Sequence, residues 1–221
     1  MSSLPSRETL FKSPGISVRE HLILAPWFPD PALLAEVRAQ AVASRNHLGG
    51  EWLDGDGFTL ITGFIGYSAL FTHLAFLAEP LPQRISFLGT AGSLNPRFDF
   101  TRLIQVTRVM GSGPLKSFSS EEIVDMKAAK IPGIGEATGV SVDMVQRETP
   151  EWLARQRSRG ADIVEMELFP LRTELNLPVT ALVVLTDRVT EAGIQPFRDP
   201  AGLKRQFRLG WGKLLALHEA D

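Results

Sequence analysis

Apolar and β-branched residues gather in short uninterrupted runs at residues 22–25, 58–62, 85–88, 103–109, 139–142, 163–164 and 180–185. Continuous rather than alternating apolar character predicts strands of a sheet covered on both faces. Between these runs the period changes. Asp30 followed by Pro31 predicts an N-cap with proline at the first helical position, and Leu34, Val37 and Ala41 follow at helical spacing. Asp199 and Pro200 repeat the device ahead of Leu203, Phe207, Trp211, Leu214 and Leu215. Further helices are predicted over residues 67–78, 151–159 and 167–175, whereas residues 111–135 read mostly as loop, with a short helix at 120–130. Strands interleaved with helices place the chain in the α/β class.

At 221 residues the chain can bury one large core, so a single domain over residues 19–221 is expected, preceded by a loose segment, 1–18, rich in Ser, Pro and Gly near its start. A formal net charge of -2 provides no positive field for a polyanion, so nucleic acid is not an expected partner. The longest apolar stretch, residues 22–29, is far short of the roughly 20 residues that span a bilayer, and the polar start lacks a signal-peptide core. No membrane partner and a cytoplasmic location are expected. With no cysteine there is no thiolate nucleophile, disulfide or cysteine-rich zinc site, and His21, His47, His73 and His218 are not spaced as paired metal ligands. Neither a metal nor a cofactor is expected.

Three segments carry candidate chemistry. Gly89-Thr90-Ala91-Gly92 follows a predicted strand, and two glycines around a threonine let backbone N–H groups and the Thr90 hydroxyl approach an anion or a sugar oxygen; a plain strand-ending turn fits the same composition. Val164-Glu165-Met166-Glu167 sets two carboxylates at i and i+2 where a strand meets a helix. One of them points inward, and Glu167 then needs a polar partner, unless both acids lie exposed at the strand end. The third run, residues 182–188, delivers Asp187 at the carboxyl end of an apolar strand, the edge where open α/β sheets bind ligands; a helix cap or turn is the alternative.

In this order and at these separations, the Gly-Thr-x-Gly, Val-Glu-Met-Glu and Thr-Asp segments resemble the nucleoside phosphorylase and nucleosidase superfamily. Weaker similarity covers residues 62–69 and 139–144. The resemblance implies one three-layer α/β domain, with a central mixed, mostly parallel sheet flanked by helices. It implies a small-molecule nucleoside substrate, purine type favoured, cleaved at its N-glycosidic bond. Glu167 would accept from the ribose 2′ and 3′ hydroxyls, Met166 would pack on the sugar, and Asp187 would be the general acid at the base. Thr90, Gly89 and Gly92 would form the phosphate or water site, and Val142 and Met144 the base pocket. Members of the superfamily form dimers or hexamers, so a homo-oligomer is implied.

Departures from the pattern bear on the nucleophile. The Gly-Asp-Pro-x-x-Arg-like phosphate segment of the phosphorylases is replaced by Ala25-Pro26-Trp27-Phe28-Pro29, and their second phosphate arginine by Phe87. The water-activating glutamate cluster of the nucleosidases is matched here only by Asp30 and the more distant Glu36, while Arg102 stands where that family has a Gly-Asp pair. Losing two arginines removes much of the binding energy for a dianion and tilts the expectation toward hydrolysis over phosphorolysis. The alternative is a noncatalytic nucleoside-binding protein that keeps the fold without the nucleophile machinery. Lys204, Arg205, Arg208 and Lys213 read as the solvated face of the last helix, and the four tryptophans mainly as core or interface.

Overall fold

The computed structural model describes residues 16–47, 49–111, 122–143 and 148–219. The chain opens with β1 (His21–Ala25) and α1 (Pro31–Gln40). The hairpin β2 (Ala43–His47) and β3 (Gly50–Asp54) leads to β4 (Phe58–Thr62) and α2 (Gly66–Leu74). Then come β5 (Arg84–Ser93), β6 (Leu103–Gly111), β7 (Glu122–Asp125), β8 (Gly135–Ser141) and α3 (Pro150–Ser158). The chain closes with β9 (Ile163–Glu165), α4 (Leu168–Leu175), β10 (Val179–Thr190), β11 (Gly193–Pro196) and α5 (Pro200–Glu219).

All these strands belong to one sheet of order β11-β10-β6-β8-β9-β5-β1-β4-β3-β2, with β7 on β6. Because β10 pairs with β5 as well as with β6, the strands β5, β10, β6, β8 and β9 close into a ring. The sheet is mixed. Strands β4, β1, β5 and β10 run parallel, as do β6, β8 and β9, and the two groups are antiparallel where β10 meets β6 and β9 meets β5.

Alternate residues of the strands face two layers of helices. Leu22, Leu24, Phe87 and Val183 pack toward Leu70 of α2 and Phe169 and Leu171 of α4. Ile23, Leu60, Leu88 and Leu182 pack toward Leu33 and Val37 of α1 and Phe207, Trp211 and Leu214 of α5. A third, smaller cluster of Leu94, Val140, Val142, Leu153, Val164 and Val189 fills one end of the ring.

Helix starts follow the capping chemistry of the sequence. Asp30 Oδ1 accepts from the N–H groups of Ala32 and Leu33, Thr149 caps α3 ahead of Pro150, and Asp199 Oδ1 accepts from Gly202 N–H. Three differences from the sequence expectation have physical causes. The hairpin of β2 and β3 and the edge strand β11 were not expected, because β2 is polar and β11 exposed along its whole length, so neither shows an apolar period. The expected helix at 120–130 is instead β7 followed by an irregular segment, held where Gln105 Nε2 donates to Ala129 O and Gln105 Oε1 accepts from Ile131 N–H. At the start of the described residues, Ile16 bridges to Leu77. No helix among the described residues is long and apolar enough to cross a membrane.

Candidate active site

The Gly-Thr-x-Gly segment is not a turn. It continues β5 to Ser93, with β10 paired alongside from Ile85 to Ser93 and β9 joining at Gly92 and Ser93. The two glycines serve packing. A Cβ on Gly89 would stand 2.5 Å from Cε1 of Phe87, and one on Gly92 would stand 2.7 Å from Oδ2 of Asp187. Gly92 therefore makes the space that the Asp187 carboxylate occupies.

Asp187 is aimed by a β-bulge. The β5–β10 register shifts between Leu185 and Asp187, so Thr186 is the extra residue, and strict alternation breaks. Thr186 and Asp187 thereby both face one cavity, and the Thr186 hydroxyl donates to Asp187 Oδ1 at 2.7 Å. Burial raises the Asp187 carboxyl above its ordinary value, opposed by that hydrogen bond.

At the end of β9 both glutamates turn inward, not one, because the strand is three residues long and α4 begins directly after it. Glu165 is consumed by structure. Its Oε2 accepts from Glu167 N–H and Leu168 N–H, both at 2.7 Å, and its Oε1 accepts from the Ser141 hydroxyl. It thus serves the first turn of α4 as a cap would. Glu167 keeps more free capacity: Oε1 accepts from Gly66 N–H at 2.6 Å at the start of α2. Burial, and then the neighbouring Glu165 charge, push Glu167 up to about 7. Gly66 has φ +78°, a backbone that favours glycine, and a Cβ there would touch Met166 Cε at 3.4 Å.

These residues meet in one cavity of about 310 Å³, lined among others by Thr90, Gly92, Val142, Met166, Glu167, Thr186 and Asp187. Glu148, just before α3, also lines it and was not singled out in the sequence, where it is one more acid in a polar stretch. Its Oε2 is buried without a hydrogen-bond partner among the described residues. Burial, and secondarily Asp187, push it up to about 7. The described lining thus holds four carboxylates, Glu148, Glu165, Glu167 and Asp187, and no Lys, Arg or His. No three His, Asp or Glu side chains among the described residues are grouped so as to hold a metal ion. The rim carries the exposed apolar side chains of Trp27, Ile65 and Ile194.

The other sequence candidates are distributed as follows. Gly89 does not line the cavity, and Met144 lies outside the described residues. Arg102 is exposed beside Gly135 and is not in the lining. Asp30 caps α1 and pairs with Arg208, which also pairs with Glu36, so Arg208 tethers α5 to α1 and is not simply solvated. Trp52 and Trp211 are core, Trp52 donating to His73 Nδ1, while Trp27 sits on the rim. A second hollow of about 470 Å³ shares Pro26 and Trp27 with the first; its one described cation, Arg38, is held bidentately by Glu51.

No protein-family model and no curated protein sequence matches the chain. Solved structures do. The 5′-methylthioadenosine/S-adenosyl homocysteine nucleosidase of Campylobacter jejuni superimposes with a TM-score of 0.66 at 15% identity, over 90% of this chain and 98% of that one. Futalosine hydrolase of Helicobacter pylori gives 0.60 at 16% identity over 90% and 98%, and purine nucleoside phosphorylase of Toxoplasma gondii gives 0.61 at 18% over 92% and 93%. Across nearly its whole length, the chain has the nucleoside phosphorylase and nucleosidase fold that these enzymes share.

Proposed function

We propose that the protein is a member of that superfamily which hydrolyses the N-glycosidic bond of a ribonucleoside, with purine nucleosides favoured. The observation that carries this is the meeting of Thr90, Met166, Glu167 and Asp187 in one cavity whose described lining contains four carboxylates and no cation. Cleavage passes through a cationic, oxocarbenium-like sugar and an anionic departing base. Buried carboxylates stabilise the first, and a protonated carboxyl relieves the second. In this reading Glu167 accepts from the ribose 2′ and 3′ hydroxyls with the capacity left beside Gly66 N–H, and Met166 packs on the sugar. Asp187, raised by burial, gives its proton to the base as the C1′–N electron pair leaves with it, and water adds to C1′. Thr90 and Gly92 flank the water, and Val142 the base.

The lining favours water over phosphate. A phosphate dianion would enter a cavity already rich in carboxylate, with no described guanidinium to receive it, and a like-charge encounter of that kind is unfavourable at low dielectric. Purine preference is supported by two of the neighbours, whose names specify a methylthioadenosine and a purine nucleoside. The exposed apolar rim of Trp27, Ile65 and Ile194 supports a homo-oligomer in which a second subunit covers the mouth; a dimer or hexamer, in the cytoplasm, is the reading carried over from the sequence. One observation favours the alternative of a noncatalytic nucleoside-binding protein: Asp30 and Glu36, the first acids after the first strand, are committed to Arg208. Release of free base from a panel of purine and pyrimidine nucleosides, with and without phosphate, separates the readings. Phosphate-independent release is expected; binding without release from any member supports the alternative, and phosphate-dependent release overturns hydrolysis.

A further inference from the structure

Glu148 and Asp187 face the same cavity from different elements, the segment before α3 and the bulge of β10. The charged and titratable groups that share the described lining with them are Glu165 and Glu167, all acids, and no cation balances any of them there. Asp187 Oδ1 is held by Thr186, and the Gly92 backbone leaves the space for Oδ2. Glu148 Oε2 is buried with no partner among the described residues. A buried carboxyl oxygen in such surroundings is stable only when it carries a proton or receives one from a ligand. Two acids so placed do not both ionise readily, and their protons come off as properties of the pair.

We propose that Glu148 and Asp187 form a carboxyl pair that holds one proton between them and delivers it through Asp187 to the leaving base. Glu148 is the positioning residue of the pair: it stores the proton and keeps Asp187 protonated at the pH of the reaction. The inference rests on the hydrolase reading above. When the C1′–N bond breaks, its electrons go to the base, which takes the proton and leaves neutral. The pair is then doubly ionised opposite the cationic sugar. Water adds to C1′ and releases one proton, and that proton restores the pair. The sum is nucleoside plus water giving free base plus ribose, with no other reactant.

The test uses two substrates, a purine nucleoside, whose base must be protonated as it leaves, and p-nitrophenyl β-D-ribofuranoside, whose phenolate leaves without a proton. For Glu148→Gln, kcat on the purine nucleoside should fall by roughly 10²-fold, while kcat on the nitrophenyl riboside should change by less than about 3-fold. The alkaline limb of the purine pH–rate profile should move to lower pH, because Asp187 alone gives up its proton sooner than the pair does. Glu148→Asp, which keeps the second carboxyl, should recover part of both effects. In the free protein, the carboxylic C=O stretch followed by infrared titration should persist to higher pH in the wild type than in Glu148→Gln. Equal losses on both substrates, or an unmoved alkaline limb and infrared titration, would overturn the pair and leave hydrolysis standing. A wild-type protein that cleaves neither substrate overturns the hydrolase reading itself, and the proposal with it.

Discussion

Asp162 and Asp187 are aspartates on neighbouring parts of one sheet, and their surroundings differ in kind. Asp162, just before β9, accepts from the Arg97 guanidinium at 2.8 Å, the Asn95 amide at 2.9 Å and Thr138 N–H at 3.1 Å. Asp187 has the Thr186 hydroxyl, a space cleared by Gly92 and other acids. The contrast extends to their regions. Around Asp162, and likewise around Asp30, each acid is answered by a cation and by amides; around the cavity, burial is left without a countercharge among the described residues. An acid with its partners filled holds the fold together, whereas an acid left short of partners is available to a ligand and costs stability.

The largest expected effect comes from exchanging charge for amide at these two positions. Asp187→Asn should reduce turnover by roughly 10²-fold or more, because an amide still hydrogen-bonds the base but cannot give it a proton, with little change in nucleoside affinity and no loss of Tm. Asp162→Asn should do the reverse. Losing the charge-assisted bonds should cost about 1–3 kcal/mol, discounted because Arg97 is half in solvent, and turnover should stay near wild type. Single-turnover rates, calorimetric affinity and melting curves on both variants check the pair. An Asp187→Asn protein that cleaves at the wild-type rate breaks the comparison.

Gly92→Ala sharpens it from the backbone side. The new Cβ would sit 2.7 Å from Asp187 Oδ2 and 2.8 Å from Val189 Cγ2, so the carboxylate, as the movable end, must swing away. Turnover should fall by roughly 10- to 100-fold, the usual consequence of displacing a reacting group by about an ångström, with a smaller loss of stability. A crystal structure of the variant with Asp187 in place and full activity would falsify the steric account.

Next in size is Asp30→Ala, on the side of the molecule where acids are satisfied. It removes the cap of α1 and the ion pair to Arg208, and should lower stability by about 1–2 kcal/mol with kcat unchanged. Burial alone would raise Asp30, but Arg208 and the two capping amides hold it below its ordinary value. Its contribution is therefore present at neutral pH and is lost as pH falls through that lowered value. Thermal melts of variant and wild type should draw together as pH falls through that lowered value.

The same contrast explains what the sequence made legible. Strand cores and capped helices were readable, because continuous apolar runs and Asp-Pro pairs are local signals. The Gly-Thr-x-Gly segment was readable as important but not as strand, since its glycines answer to Phe87 and to Asp187, nearly a hundred residues away in sequence in the latter case. The bulge at Thr186 leaves no mark in the sequence, nor does the closure of β10 on both β5 and β6. Parallel strand order alone does not bring the motifs together: β9 runs antiparallel to β5, and ring closure brings the Val-Glu-Met-Glu end to Asp187. Glu148 was invisible because only the tertiary structure shows that one of its oxygens is buried with no partner among the described residues.

The smallest effect is the most diagnostic, because it should vanish as pH falls. Glu148 and Glu167 are both pushed up to about 7, first by burial and then by Asp187 and Glu165 respectively, from an ordinary value of 4.5. Between those values the folded protein keeps protons that the unfolded chain has released, so these two groups favour folding less and less as pH rises through about 7. His73, lowered by burial and then by His47, acts in the opposite sense: it disfavours folding as pH falls below 6.5, where the unfolded chain takes up its proton. Comparing Glu148→Gln with wild type cancels the His73 contribution and isolates one acid. At pH 8 the variant no longer buries a charge and should melt higher by roughly 2–4 °C, a modest figure because Glu148 is only partly buried. Below pH 4.5, where the carboxyl is protonated in the folded and the unfolded chain alike, the two melting temperatures should nearly coincide. A variant more stable by the same amount at both pH values would show that packing, not charge, sets the difference, and would place Glu148 with Asp162 among the structural acids.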